Sequence, residues 1–210
     1  MNLVFKNLQA YCIHAGNFQD GTDDLLINLD KVVVRKLGVK SCNIIISDGN
    51  ESICKANNVT KAHLKMIKKV IEKNKYPCLI LENDIKFIKD LPLEFELPDE
   101  VDMIYLGGSL YNDGFKPDLY ITEYNDIFYR VYYMYAAHAI IIANKKTALK
   151  YKEICEEVIE NCTPHDIPLA LISKDFIALA PKDGLYLYQA GYNQDITRFQ
   201  WKDYENVLLK

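Results

Sequence analysis

The chain has 210 residues, half of them hydrophobic and 26% charged, a composition that suits one globular domain with a sizeable core and excludes a disordered or fibrous chain. With 25 Lys plus Arg against 29 Asp plus Glu, the formal net charge of −4 excludes a protein built mainly to coat nucleic acid. Arg35, Arg130 and Arg198 are the only arginines, so recognition of a phosphorylated ligand falls to Lys, helix N-termini or a metal.

The longest largely apolar stretch, residues 132–143, contains His138 and falls well short of the roughly 20 residues needed to cross a bilayer, so no membrane span is expected. Residues 1–11 lack a basic region followed by an apolar block and a cleavage site, and the chain reads as cytoplasmic. None of the six Cys forms a CxxC pair and several lie in apolar runs, which predicts reduced core thiols rather than zinc ligands.

In chain order, residues 8–14 form an apolar run ended by Ala15-Gly16-Asn17. Residues 24–37 carry apolar side chains at helical spacing, and Gly38 stops them. A β-branched run over 42–47 closes on Asp48-Gly49, completing a strand, helix, strand unit of the kind that builds parallel sheets. A second helix is expected from Thr60, as N-cap, to Asn74, with Ala62, Met66, Ile67, Val70 and Ile71 on one side. Beyond Pro77, Cys78–Glu82 is a short continuous apolar run, the pattern of a strand buried on both faces. It delivers Glu82-Asn83-Asp84 to its carboxyl end, where ligands bind in open α/β sheets.

Residues 82–102 hold eight acids and two Lys, and 91–98 read as a solvated, Pro-punctuated loop. Residues 101–106 form a strand ending in Gly107-Gly108-Ser109, where glycines permit close approach of backbone to a ligand. Strands are expected at 127–135 and 137–143, in a half that is antiparallel or mixed. Asn144 caps a helix spaced by Ala148, Leu149, Tyr151, Cys155, Val158, Ile159 and Cys162. A helical segment at 165–172 and strands at 176–180 and 185–189 complete the pattern. Without repeats or a linker, residues 1–210 read as one domain.

Glu82 and Asp84, two apart just after a buried strand, offer hard oxygen ligands to magnesium or manganese, although a solvated acidic turn has the same local pattern. Asp48 is placed to accept from a base N–H or a ribose hydroxyl, and Asp48-Gly49 is equally a good turn. Asp166, after Pro164, suits either a helix N-cap or a general base projecting into a cleft. His63 reads as a packed, hydrogen-bonded histidine. Most of the 15 Tyr read as core or sheet-surface residues.

Residues 59–87 (VTKAHLKMIKKVIEKNKYPCLILENDIKF) resemble the central signature of the glycosyltransferase family that includes bacterial lipopolysaccharide galactosyltransferases and collagen galactosyltransferases. In that family a helix with a Ser-His pair leads into a strand ending in Leu-Glu-Asp-Asp. Here Ala62-His63 stands for the pair, and the middle acid has become Asn83, while the outer carboxylates remain. Weaker likeness runs through 101–107, 136–151, Pro164-His165-Asp166 and 189–199; compact transferases of large DNA viruses that glycosylate their own capsid proteins are similar as well.

The resemblance implies an α/β, GT-A-like single domain whose mixed, mainly parallel central sheet is flanked by helices. Residues 1–106 would form the nucleotide-sugar half and 107–210 the acceptor half. It implies sugar transfer from a nucleotide-diphosphate donor, UDP-linked, to a hydroxyl of a glycan or glycoprotein. Manganese or magnesium would be held by Asp84 and Glu82, with Asp166 as base and inversion at the anomeric centre. Tyr11, His14, Ala15, Gly16, Asp48, Asn83, Gly107 and Arg198 would line the donor site. Two other readings stand beside it. One is a nucleotidyltransferase, disfavoured because residues 15–21 lack the basic Gly-rich loop that cradles a triphosphate; the other is a catalytically silent sugar-nucleotide or glycan-binding module.

Overall fold

In the computed structural model the described residues are 2–14, 39, 42–46, 55–83, 85–87, 90, 92, 94–107, 121–132, 134, 138–161, 168–170, 175–183 and 186–189. In chain order they form β1 (Asn2–Val4), a 3-10 turn (Phe5–Asn7), β2 (Gln9–His14), β3 (Cys42–Ile46), α1 (Lys55–Lys73), β4 (Cys78–Glu82), β5 (Ile85–Phe87) and β6 (Glu94–Glu96). There follow β7 (Met103–Tyr105), β8 (Ile121–Glu123), β9 (Phe128–Val131), β10 (Ala139–Ile142), α2 (Lys145–Asn161), β11 (Ala178–Pro181) and β12 (Leu187–Gln189).

Eight strands make one mixed sheet in the order β3-β2-β4-β10-β7-β11-β9-β8. β2 runs parallel to both β3 and β4, and β11 runs parallel to β7. β10 is antiparallel to both of its neighbours, so a late strand is wedged between β4 and β7. The expected α/β class with a mixed sheet is observed, but the sheet is not mainly parallel: three of its strand pairings are parallel and four antiparallel, because the late strands β8 to β11 add mostly antiparallel neighbours, and both described α-helices pack on one face.

Strand side chains alternate between faces, which divides the core in two. Cys78, Ile80, Met103, Tyr105, Ile140 and Ile142 face the helices. They meet Ala62, Met66, Ile67 and Val70 of α1 and Ala148, Tyr151, Ile154 and Cys155 of α2. Leu79, Leu81, Ile104, Ala139 and Ile141 pack on the other face with Leu3, Phe5, Phe95 and Leu97. By the same alternation Glu82 follows Cys78 and Ile80 onto the helix side of the sheet.

α2 is anchored at its start by a buried polar knot. Asn144 Oδ1 accepts from the Thr147 N–H (3.0 Å), and Asn144 Nδ2 donates to Asp102 Oδ1 (2.9 Å). The Thr147 hydroxyl lies between two acceptors, Asn144 Oδ1 at 3.0 Å and Asp102 Oδ1 at 3.3 Å, while Asp102 Oδ2 accepts from the Ile177 N–H (3.0 Å). One carboxylate thus ties the helix cap to the entry of β7 and the approach to β11, and Asn144 caps α2 as expected.

Three expectations are corrected. α1 begins at Lys55, so Thr60 is not its N-cap but a buried residue inside it. Asn57, Asn58 and Val59 are modest helix formers, and packing of the helix against the sheet and α2 extends the helix through them. Residues 91–98 are not all loop: β6 pairs antiparallel with β1 and buries Phe95, with Glu94 and Glu96 outward. β11 is shifted to Ala178–Pro181. The helix expected at 24–37 lies outside the described residues. The described cysteines Cys12, Cys42, Cys78 and Cys155 are free thiols. Among the described residues no helix is long and apolar enough to cross a membrane.

Candidate functional site

The carboxyl ends of β2 and β4 lie side by side, since Ile13 pairs with Glu82 across the parallel ladder. His14, the last residue of β2, therefore reaches the same edge. From β4 the chain passes through Glu82 and half-buried Asn83 into β5, which pairs antiparallel with β12. Leu187 at the start of β12 also bridges to Gly107, just past β7, and the Tyr186 and Leu187 N–H groups donate to the Leu106 carbonyl. β12 thus ties the segment that follows the acidic turn to the end of β7.

Glu82 is held at both ends of the residue. Its N–H donates to the His138 carbonyl (2.9 Å), and its Oε1 lies 2.9 Å from His63 Nε2. His63 is wholly buried on the inner face of α1, one turn before Met66 and Ile67, and its Nδ1 lies 2.7 Å from the Tyr151 hydroxyl of α2. The His63 and Tyr151 rings meet edge-on with centroids 5.9 Å apart. Burial pushes the His63 imidazole down to about 3, so it is neutral near pH 7. Burial pushes the Glu82 carboxyl up, and nearby His138 pulls it the other way. With Glu82 ionised, one tautomer satisfies both contacts: Nε2–H donates to the carboxylate and Nδ1 accepts from the Tyr151 O–H.

His138, just before β10, is buried, and its Nε2 has no hydrogen-bond partner among the described residues. Burial lowers its pKa, with Glu82 pulling it back up. Its ring lies against Gly107, where an added Cβ would sit 2.6 Å from His138 Nε2 and 3.0 Å from the Ala139 Cβ. The glycine expected to admit a ligand thus makes room for this imidazole. Gly107→Ala should force His138 to shift and destabilise the fold by about 1–3 kcal/mol. A thermal melt checks this, and an unchanged melting temperature would refute the packing account.

Of the residues expected at the site, Glu82, Asn83, Gly107 and the backbone of His14 gather at this sheet edge. Tyr11 does not reach it. It is a core residue in the middle of β2, opposite Asn43 and Ile80, and burial pushes its phenol up to about 12. Ala15, Gly16, Asp48, Asp84, Asp166 and Arg198 lie outside the described residues. Tyr151 and His138 were missed as polar members of the site because each sits in an apolar pattern, Tyr151 at helical spacing and His138 beside a strand.

The donor chemistry at this edge suits a hard divalent cation. Glu82 presents a partly buried carboxylate, and such ions are often held by one or two carboxylates plus substrate phosphates. Among the described residues no group of three or more His, Cys, Asp and Glu could hold a metal by itself. The orphaned His138 nitrogen beside Gly107 adds an unmet polar demand to the same edge.

No protein-family model matches the sequence, and no curated protein matches it. Among solved structures, the chain is similar to a glycosyltransferase involved in the glycosylation of the major capsid of PBCV-1. The two share 10% sequence identity over 71% of this chain and 67% of that one, with a TM-score of 0.42.

Proposed function

We propose that this chain is a metal-dependent GT-A-type glycosyltransferase that moves a sugar from a nucleotide-diphosphate donor, UDP-linked, to a hydroxyl of a glycan or protein. The supporting observation is the Glu82 carboxylate, 15% exposed and held by His63 at the carboxyl end of a buried strand that runs parallel to β2, where open α/β sheets bind ligands. The likeness of residues 59–87 to the lipopolysaccharide and collagen galactosyltransferase signature points the same way.

In this reading Asp84, with Glu82, holds manganese or magnesium, and Asp166 takes the proton from the acceptor hydroxyl as it attacks the anomeric carbon. The bound ion would supply positive charge against the leaving diphosphate, in a chain with few arginines. Asp48, His14, Ala15, Gly16 and Asn83 contact the nucleotide, Gly107 borders the sugar, and Arg198 closes on the diphosphate. Direct displacement by the acceptor inverts the anomeric centre.

The test is donor hydrolysis and transfer with a panel of UDP- and GDP-sugars, with and without manganese. Manganese-dependent turnover of a UDP-sugar, lost in Asp84→Ala, is the expected result; full activity in that variant would sink the metal assignment. A non-catalytic sugar-nucleotide-binding module is the second reading, favoured by Asn83 in place of an acid. Calorimetry showing tight UDP binding, with no turnover on any acceptor, would select it.

A further inference from the structure

We propose that His63, steadied by Tyr151, is a positioning residue for the cation and diphosphate site, acting through the Glu82 carboxylate. The inference rests on the glycosyltransferase reading and adds to it two residues from the helical layer. A carboxylate at the end of a strand can swing about its side-chain torsions. Fixing Oε1 on His63 Nε2 at 2.9 Å sets the carboxylate plane and with it the direction of Oε2. The imidazole is set in turn by the Tyr151 hydroxyl at 2.7 Å.

Both supports come from rigid elements. His63 lies on the inner face of α1 beside Ala62, Met66 and Ile67, and Tyr151 lies on that of α2 beside Ala148 and Ile154, all buried. Lys68 and Glu156 pair across the two helices at 3.3 Å. The chain of contacts therefore runs from the packed helix pair to the sheet edge. A polar triad sunk in an apolar layer is costly unless it is satisfied, and outer partners of this kind orient the groups that hold ions.

The two nitrogens of His63 can be separated by substitution. Gln carries its amide nitrogen near the position of Nε2, whereas Asn reaches only the position of Nδ1. His63→Gln keeps a donor for Glu82; His63→Asn keeps a partner only for Tyr151. Tyr151→Phe deletes one oxygen and keeps the ring packing.

The readout is Mn2+ affinity, followed by the free-Mn2+ paramagnetic resonance signal as protein is titrated at fixed UDP, with a melting curve for each variant. The expected result is a loss of about 10–100-fold in His63→Asn, recovery of most of the affinity in His63→Gln, and a smaller loss in Tyr151→Phe. A merely structural role would lower melting temperatures without sorting the affinities in this order. Equal affinity in His63→Asn and His63→Gln, or unchanged affinity in Tyr151→Phe, overturns the positioning role while leaving the transferase reading in place. Wild-type protein that binds neither Mn2+ nor UDP overturns both.

Discussion

Replacing Glu82 by Gln is expected to lower kcat/KM for sugar transfer by about 10²–10³-fold, the usual scale for removing one preorganised electrostatic group from a reacting centre. The fold should stay near wild-type stability, because the Gln carbonyl still accepts from His63 Nε2–H where Glu82 Oε1 now does. Glu82→Ala should lose activity to a similar degree and also lose stability, since the buried imidazole is deprived of that acceptor. The added cost is about 1–3 kcal/mol. Steady-state kinetics and thermal melts on the two variants separate charge from packing. If Glu82→Gln keeps wild-type kcat/KM, Glu82 is a structural partner of His63 alone and the metal falls to Asp84.

The second large effect is expected far from that edge. Asp102→Ala removes the acceptor of the Ile177 N–H and leaves Asn144 Nδ2 only its longer contact to the Val101 carbonyl (3.3 Å), at a site only 6% exposed. Stranding buried donors and loosening the cap of α2 should cost about 3 kcal/mol. For a chain of this size that is roughly a 6–12 °C fall in melting temperature. Asp102→Asn keeps one carbonyl oxygen and should fall between the two. Because α2 also carries Tyr151, measuring Mn2+ affinity on this variant well below its melting temperature shows whether a loosened helix reaches Glu82. A melting temperature within 1–2 °C of wild type, roughly half a kcal/mol, would refute the account of the knot.

The central strands were legible because their patterns are long or extreme for their length. Cys78–Leu81 is apolar without a break, and the pairing of β4 on both sides, with β2 and β10, explains why. The α2 cap was legible because Asn144 precedes a clean helical spacing. Thr60 misled because residues 57–59 are modest helix formers, and only the tertiary layer carries the helix through them. β1 and β6 are three residues each, too short for a period to show, and they stabilise one another across 90 residues of sequence.

At the site, the position of Glu82 followed from the end of its strand, but its partner did not. His63 shares the face of Met66, Ile67 and Val70, so its burial could be read from helical spacing. That it would meet Glu82 depends on how α1 lies across the sheet, which no local pattern encodes. In the sequence Gly107 reads as a glycine that admits a ligand, and the neighbour that fills the space of a Cβ there is a side chain of this chain. The obstacle is the imidazole of His138, brought in by a strand that arrives more than 30 residues later.

The insertion of β10 between β4 and β7 also bears on synthesis and folding. β4 and β7 are both complete by residue 105, yet each hydrogen-bonds to β10 rather than to the other, and β10 is made only at residues 139–142. The Glu82 N–H waits for the His138 carbonyl in the same way. A ribosome-bound or truncated chain ending before residue 138 would therefore leave β4 unpaired on one edge and β7 on both, since its other neighbour β11 is made later still, and unpaired apolar strand is a recognised route to aggregation. The sheet edge that carries Glu82 is thus a late product of folding, assembled when a distant part of the chain closes the gap.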